Sequence, residues 1–88
     1  MQRWEYLLVA CVRSGGIMRP KFANGQVIDS SQIGTVPDFC NDLGAEGWEL
    51  VSAVNDQGLK GEPVLDLIFK RPIDDEAMFA GARLAALR

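Results

Sequence analysis

The stretch TVPDFCNDLGAEGWELVSAV, residues 35 to 54, changes its apolar period halfway, and this change constrains the fold more than any other feature of the chain. Val36, Phe39, Cys40, Leu43 and Gly44 fall at i, i+3, i+4, i+7 and i+8, which is one stripe of a helix. Asp38, Asn41, Asp42 and Glu46 take the opposite face. Thr35 supplies an N-cap, Pro37 suits the first turn, and Asp38 stands where a carboxylate favours the positive end of the helix dipole. After Gly47, WELVSAVN (48 to 55) reads as a strand. A left-handed Gly47 just past the helix would make Trp48 the next residue outward and put Leu43 where the accompanying apolar contact falls. Trp48 is thus expected to clamp helix to sheet, sharing a side with Leu50 and Val54; a ligand-stacking platform would need exposed aromatic surface beside polar groups.

The rest of the chain is strand-like up to residue 72. RWEYLLVACVR (3 to 13) puts Trp4, Tyr6, Leu8, Ala10 and Val12 on one face and Leu7, Val9 and Cys11 on the other. Ser14, Gly15 and Gly16 supply a turn, and IMRPKF (17 to 22) a second strand whose Pro20, lacking an amide donor, belongs on an edge or at a bulge. Asn24-Gly25 turns the chain again into a short extension at 26 to 29. PVLDLIFKR (63 to 71) pairs with 48 to 55 as a hairpin. DDEAMFAGARLAALR (74 to 88) reads as a last helix, acidic at its start and with Arg83 and Arg88 toward its end. The expected fold is α+β: a three- to four-stranded, mostly antiparallel sheet in ββαββ order, one helix on a face, and a C-terminal helix. Residues 1 to 72 form the domain and 73 to 88 an oligomerisation element.

Three segments, RWEYLLV near the start, LGAEGWELVSAV and LIFKRP at the end of the last strand, resemble a small bacterial family known as domain of unknown function 4177. The resemblance spans residues 2 to 72. It implies a strand, a helix and a strand hairpin, and it implies no catalytic activity. The hairpin-like insertion at 14 to 29 is longer than that plan, and 73 to 88 lie outside it.

Composition excludes several functions. The net charge is −3 with Lys and Arg scattered, so there is no basic stripe to neutralise phosphates, and nucleic acid is not an expected partner. No segment approaches the roughly 20 apolar residues that cross a bilayer, and the opening residues read as a strand instead of a signal peptide. No membrane is expected, and a cytoplasmic location is. Cys11 and Cys40 are expected as free thiols of a reducing compartment. The chain has no histidine, so neither thiol has an imidazole to activate it, and no enzyme activity is expected. Asp38, Asp42 and Glu46, at i, i+4 and i+8, lack the wrapping loop a hard cation needs and read as a solvated helix face. No metal or cofactor is expected. Arg13, Arg19 and Lys21, around the first hairpin, are the one place where a small anionic ligand could dock.

The informative feature is a surplus of apolar surface. One helix covers one face of a small sheet, and Leu7, Val9, Val51, Ala53, Val64 and Ile68 are expected on the other, where exposure costs about 25 cal/mol per Å². The last helix is apolar nearly all round, with Ala77, Gly81 and Ala85 forming a small-residue ridge. Met78, Phe79, Gly81, Leu84 and Leu87 are therefore expected at an interface between copies, and the chain is read as a non-enzymatic, homo-oligomeric interaction or regulatory module. A binding protein for a small anionic ligand is the alternative.

Overall fold

A computed structural model of the chain describes residues 1–29 and 33–73. Five strands and one helix follow in the order β1 (Arg3–Ser14), β2 (Ile17–Ala23), β3 (Gln26–Val27), α1 (Val36–Ala45), β4 (Glu49–Gln57) and β5 (Pro63–Ile73). The strands form one sheet in the order β3-β2-β1-β5-β4, antiparallel at every step. The expected ββαββ order with three or four strands is thereby corrected to βββαββ with five. The additional strand, β3, pairs only through Phe22–Val27 and Ala23–Gln26. Two residues are too few to show a period, and the Asn24-Gly25 turn leading into it is fixed from outside. The Asn24 amide donates to the Leu8 carbonyl at 2.8 Å, and the Leu8 amide donates to Asn24 Oδ1 at 2.9 Å. The C-terminal helix expected at 74 to 88, with Met78, Phe79, Gly81, Leu84 and Leu87, lies outside the described residues and is no part of this architecture.

Gly15 and Gly16 both have positive φ, 60° and 83°, as a two-residue hairpin turn between Ser14 and Ile17 requires. Pro20 sits at a bulge, where the β1–β2 register shifts between Ala10 and Cys11 and Lys21 is the extra residue. At the start of α1, Thr35 accepts from the Asp38 amide while the Asp38 carboxylate accepts from the Thr35 amide, a closed capping box. At its end, Gly47 has φ 91°, its amide donates to Gly44 O, and the Trp48 amide donates to Leu43 O, both at 3.0 Å. This is the expected left-handed stop in its two-bond form.

α1 covers one face of the sheet. Leu7, Val9, Cys11, Leu67 and Phe69 from the two central strands pack there with Leu43 and Trp48, and Met18, Ala23, Val36, Phe39, Cys40 and Leu65 border them. Leu7 and Val9 are therefore under the helix, contrary to the expectation that they face away. The register decides it, since Val9 pairs with Leu67 and Leu8 with Ile68, so Leu7 and Val9 cannot share a face with Val64 and Ile68.

A second bulge corrects β4. Leu50 pairs with Phe69 but Ser52 pairs with Ile68, so Val51 is an extra residue and the alternation slips by one. Val54, opposite Asp66, consequently faces away from Trp48, and Ala53, opposite Leu67, lies on the helix side, contrary to the expectation that it faces away.

Candidate functional site

The two faces carry different chemistry, beginning with a charge on the covered one. Glu5 continues the buried alternation of Leu7, Val9 and Cys11 and is only 7% exposed. Arg71, its register partner on β5, donates from Nε to Glu5 Oε2 at 3.2 Å and from Nη1 to the Glu46 carbonyl at 3.0 Å. Its guanidinium also lies 4.3 Å from the centroid of the Trp48 ring. One side chain thus neutralises a buried carboxylate, caps the carbonyl end of α1 and covers the indole. Sequence reading stopped at Trp48 and Leu43 and missed this latch. The signal was present, because an acid in phase with a buried stripe needs a partner, and Arg71 is in phase with Leu67 and Phe69 on the neighbouring strand.

The thiols belong to this covered side. Burial pushes the Cys11 thiol up to about 11, with the charges of Cys40 and Asp66 adding to the effect, and burial raises Cys40 as well. Both are free thiols, protonated at neutral pH, and poor nucleophiles in that state. The Asp38 carboxylate is engaged in the capping box. Among the described residues no three potential metal ligands come together, and no helix is long and apolar enough to cross a membrane.

The opposite, open face is assembled by register. One row across the sheet reads Val27, Phe22, Ala10, Asp66 and Val54; the next has Leu8, Ile68 and Ser52; a third has Arg19, Val12, Val64 and Asp56. Tyr6 and Leu8 are 55% and 54% exposed, Val54 47% and Val27 71%. Leu8, Ala10, Phe22, Val54, Asp66 and Ile68 line a shallow, mainly apolar depression of about 490 Å³. Val64 and Ile68 are where the sequence puts them, Tyr6, Leu8 and Val54 stand there in place of Leu7, Val9 and Ala53, and Val51 is the exposed bulge residue. At the far end Trp4, 39% exposed, is covered by Lys70, whose Nζ lies 4.2 Å from the ring centroid.

Arg13, Arg19 and Lys21, singled out for an anion, border one depression of about 220 Å³ together with Val12, Ser14, Val27 and Ile28. They do not converge. Arg13 pairs with Met18 on the covered side and donates to Gly16 O at 3.0 Å, Arg19 pairs with Val12 on the open side, and Lys21 is the bulge residue. The side chains of Arg19 and of Asp66 make no hydrogen bond or ion pair among the described residues.

No curated protein and no solved structure matches the chain. A family model does, over residues 4–72, which include the buried Glu5–Arg71 pair, the Gly47–Trp48 joint and every strand of the open face. The chain therefore belongs to the family described as a domain of unknown function, DUF4177.

Proposed function

We propose that this domain is a non-enzymatic interaction or regulatory module that works as a homo-oligomer in a reducing, cytoplasmic setting, with the open sheet face as its contact surface. The observation that carries the reading is the exposure of Tyr6, Leu8 and Val54 on a face with an apolar depression, on a sheet whose two central strands are covered on the other side by α1 and the Arg71 latch. Several large apolar side chains presented together are an interaction surface more often than a solvated one. The protonated thiols and the absence of histidine support a role without chemistry. Light scattering on the full chain at rising concentration tests the reading: a dimer or larger assembly is expected, reduced to monomer by Leu8→Glu with an unchanged circular dichroism spectrum. A monomer at about 100 µM discards it.

A small anionic ligand at the first hairpin is the second reading, favoured by the shared depression beside Arg13, Arg19 and Lys21. It predicts that inorganic phosphate or a dicarboxylate raises the melting temperature, and that Arg19→Gln abolishes the rise. No shift across an anion panel removes it.

A further inference from the structure

Within the open face, one carboxylate and one guanidinium stand without a partner among the described residues, on the two strands that flank the central one. Ala10 of β1 pairs with Asp66 on β5 and Val12 of β1 pairs with Arg19 on β2, so the two charges sit on either side of β1, two residues apart along it. Asp66 lies in the row Phe22, Ala10, Val54, beside Leu8 and Ile68, and a surface closing over that row must bring it a cation.

A second copy of the same chain supplies one, but only in one arrangement. Two sheets packed face to face keep their strands within about 30° of each other and lie about 10 Å apart. A two-fold axis running along β1 lays β5 of one copy over β2 of the other, so each Asp66 meets the neighbouring copy's Arg19 across the gap, offset by about 7 Å along the strand, within the span of an arginine side chain. A two-fold axis running across the strands lays β5 over β5, setting each Asp66 against apolar residues or another carboxylate. The charge placement is self-complementary for the first axis and repulsive for the second.

The area suits a modest contact. β1 and β5 run through the rows from Trp4 to Val12, β4 joins from the Tyr6 row, β2 from the Val9 row, and β3 adds two residues, so with strands about 4.8 Å apart the footprint is roughly 450 Å² in projection. Upright side chains raise the accessible area above that, at the small end of specific interfaces, where charge complementarity decides more than area.

We infer that the chain forms an isologous, face-to-face dimer whose two-fold axis runs along β1, with Leu8 and Ala10 at its centre and two symmetric Asp66–Arg19 ion pairs between copies. This rests on the proposed self-association and specifies its geometry. The experiment is a charge-reversal cycle on the full chain, with the dimer dissociation constant read by analytical ultracentrifugation. Asp66→Arg and Arg19→Asp should each raise that constant at least about tenfold, and the double variant should return it to within about threefold of the parent. Asp66→Asn and Arg19→Gln, milder at these half-buried positions, should each weaken the dimer with melting curves unchanged at low concentration. Alkylation of Leu8→Cys should slow as the dimer forms.

The outcomes separate the two claims. A parent that dimerises while the reversals leave its constant unchanged, or fail to rescue each other, overturns the axis and leaves the proposed function standing. A monomeric parent overturns both. Protection of Leu8→Cys that does not vary with concentration means that residues 74–88 of the same chain cover the face, and it also overturns the dimer.

Discussion

Leu7 and Leu8 are neighbours in the chain and opposites in the molecule: Leu7 is 3% exposed beneath α1, and Leu8 is 54% exposed on the open face. The neighbouring central strand β5 repeats that division at Leu67 and Phe69, whereas the edge strand β4 is exposed on both sides. On the covered face the apolar side chains of the two central strands have a helix, an indole and a guanidinium to pack against, and the buried Glu5 carboxylate is paired with Arg71. On the open face the side chains are just as apolar and have water. Equal hydrophobicity thus serves two ends. Where a cover is built into the domain it holds the fold, and where none is supplied by the described residues it is available for association.

The strongest way to break the comparison is to remove the group that serves only the covered face. Arg71→Ala takes the guanidinium from the buried Glu5 carboxylate, strips the Glu46 carbonyl of its donor and uncovers Trp48. A loss of about 3 to 5 kcal/mol is expected in urea unfolding, which would consume much of a small domain's stability. A Glu5→Leu, Arg71→Met pair should recover most of it, because replacing both members of a buried ion pair by apolar groups of similar size also removes the cost of desolvating them.

The next test uses the two leucines directly. Leu7→Ala should cost about 2 to 5 kcal/mol, in the range of large-to-small core substitutions, and Leu8→Ala less than about 1 kcal/mol at concentrations where the chain is monomeric. At higher concentration Leu8→Ala should weaken association while Leu7→Ala, measured below its melting temperature, should not. Equal stability losses at the two positions would mean that the open face is covered within the chain.

How much of this division could be read from the residues is itself instructive. The helix, its caps and the Gly47–Trp48 stop are legible because they are local: Thr35 and Asp38 close their box over three residues, and Trp48 reaches back five to Leu43. The four long strands were equally plain in the apolar runs, and the two-residue β3 was not. Which face each strand presents was not plain: β1 is apolar on both sides in its middle, so its phase needs the pairing with β5, and in β4 one inserted residue, Val51, inverts the phase between Leu50 and Ser52. No turn former marks that bulge in ELVSAV, and it is imposed by pairing with β5, a long-range effect. The open-face site suffered accordingly: Val64 and Ile68 were placed, Leu8 and Val54 were not. Among the expected ligand residues, Arg19 falls on that face and Arg13 does not, a distinction that needs the β1–β2 register.

A smaller effect sharpens the role of the joint that closes the covered face. At Gly47 a side chain would meet nothing within 4 Å, so the whole cost of Gly47→Val comes from holding a β-branched residue at φ 91°. About 1 to 2 kcal/mol is expected. Three residues earlier Gly44 also has open space, but there the backbone is helical, and Gly44→Ala should stabilise by about 0.5 to 1 kcal/mol. Opposite signs at two equally uncrowded glycines, read from thermal melts, would show that conformation and not packing sets the joint.

The smallest effect concerns Cys11, fully buried on the covered face. Its thiol is pushed up from 9.0 to about 11, first by burial and then by the nearby Cys40 and Asp66. An unfolded chain gives up this proton near 9.0 and the folded chain keeps it to about 11, so between these values the unfolded state binds fewer protons. The contribution is therefore complete below pH 9 and declines as pH rises toward 11. Melts of the parent and of Cys11→Ala at pH 7.5 and 10.5 isolate it, since every other group is common to both proteins. The parent should lose more stability over that interval than the variant. Parallel losses would mean that Cys11 reaches water without unfolding, and with it that the covered face is less closed than the packing of Leu7, Val9 and Phe69 around it requires.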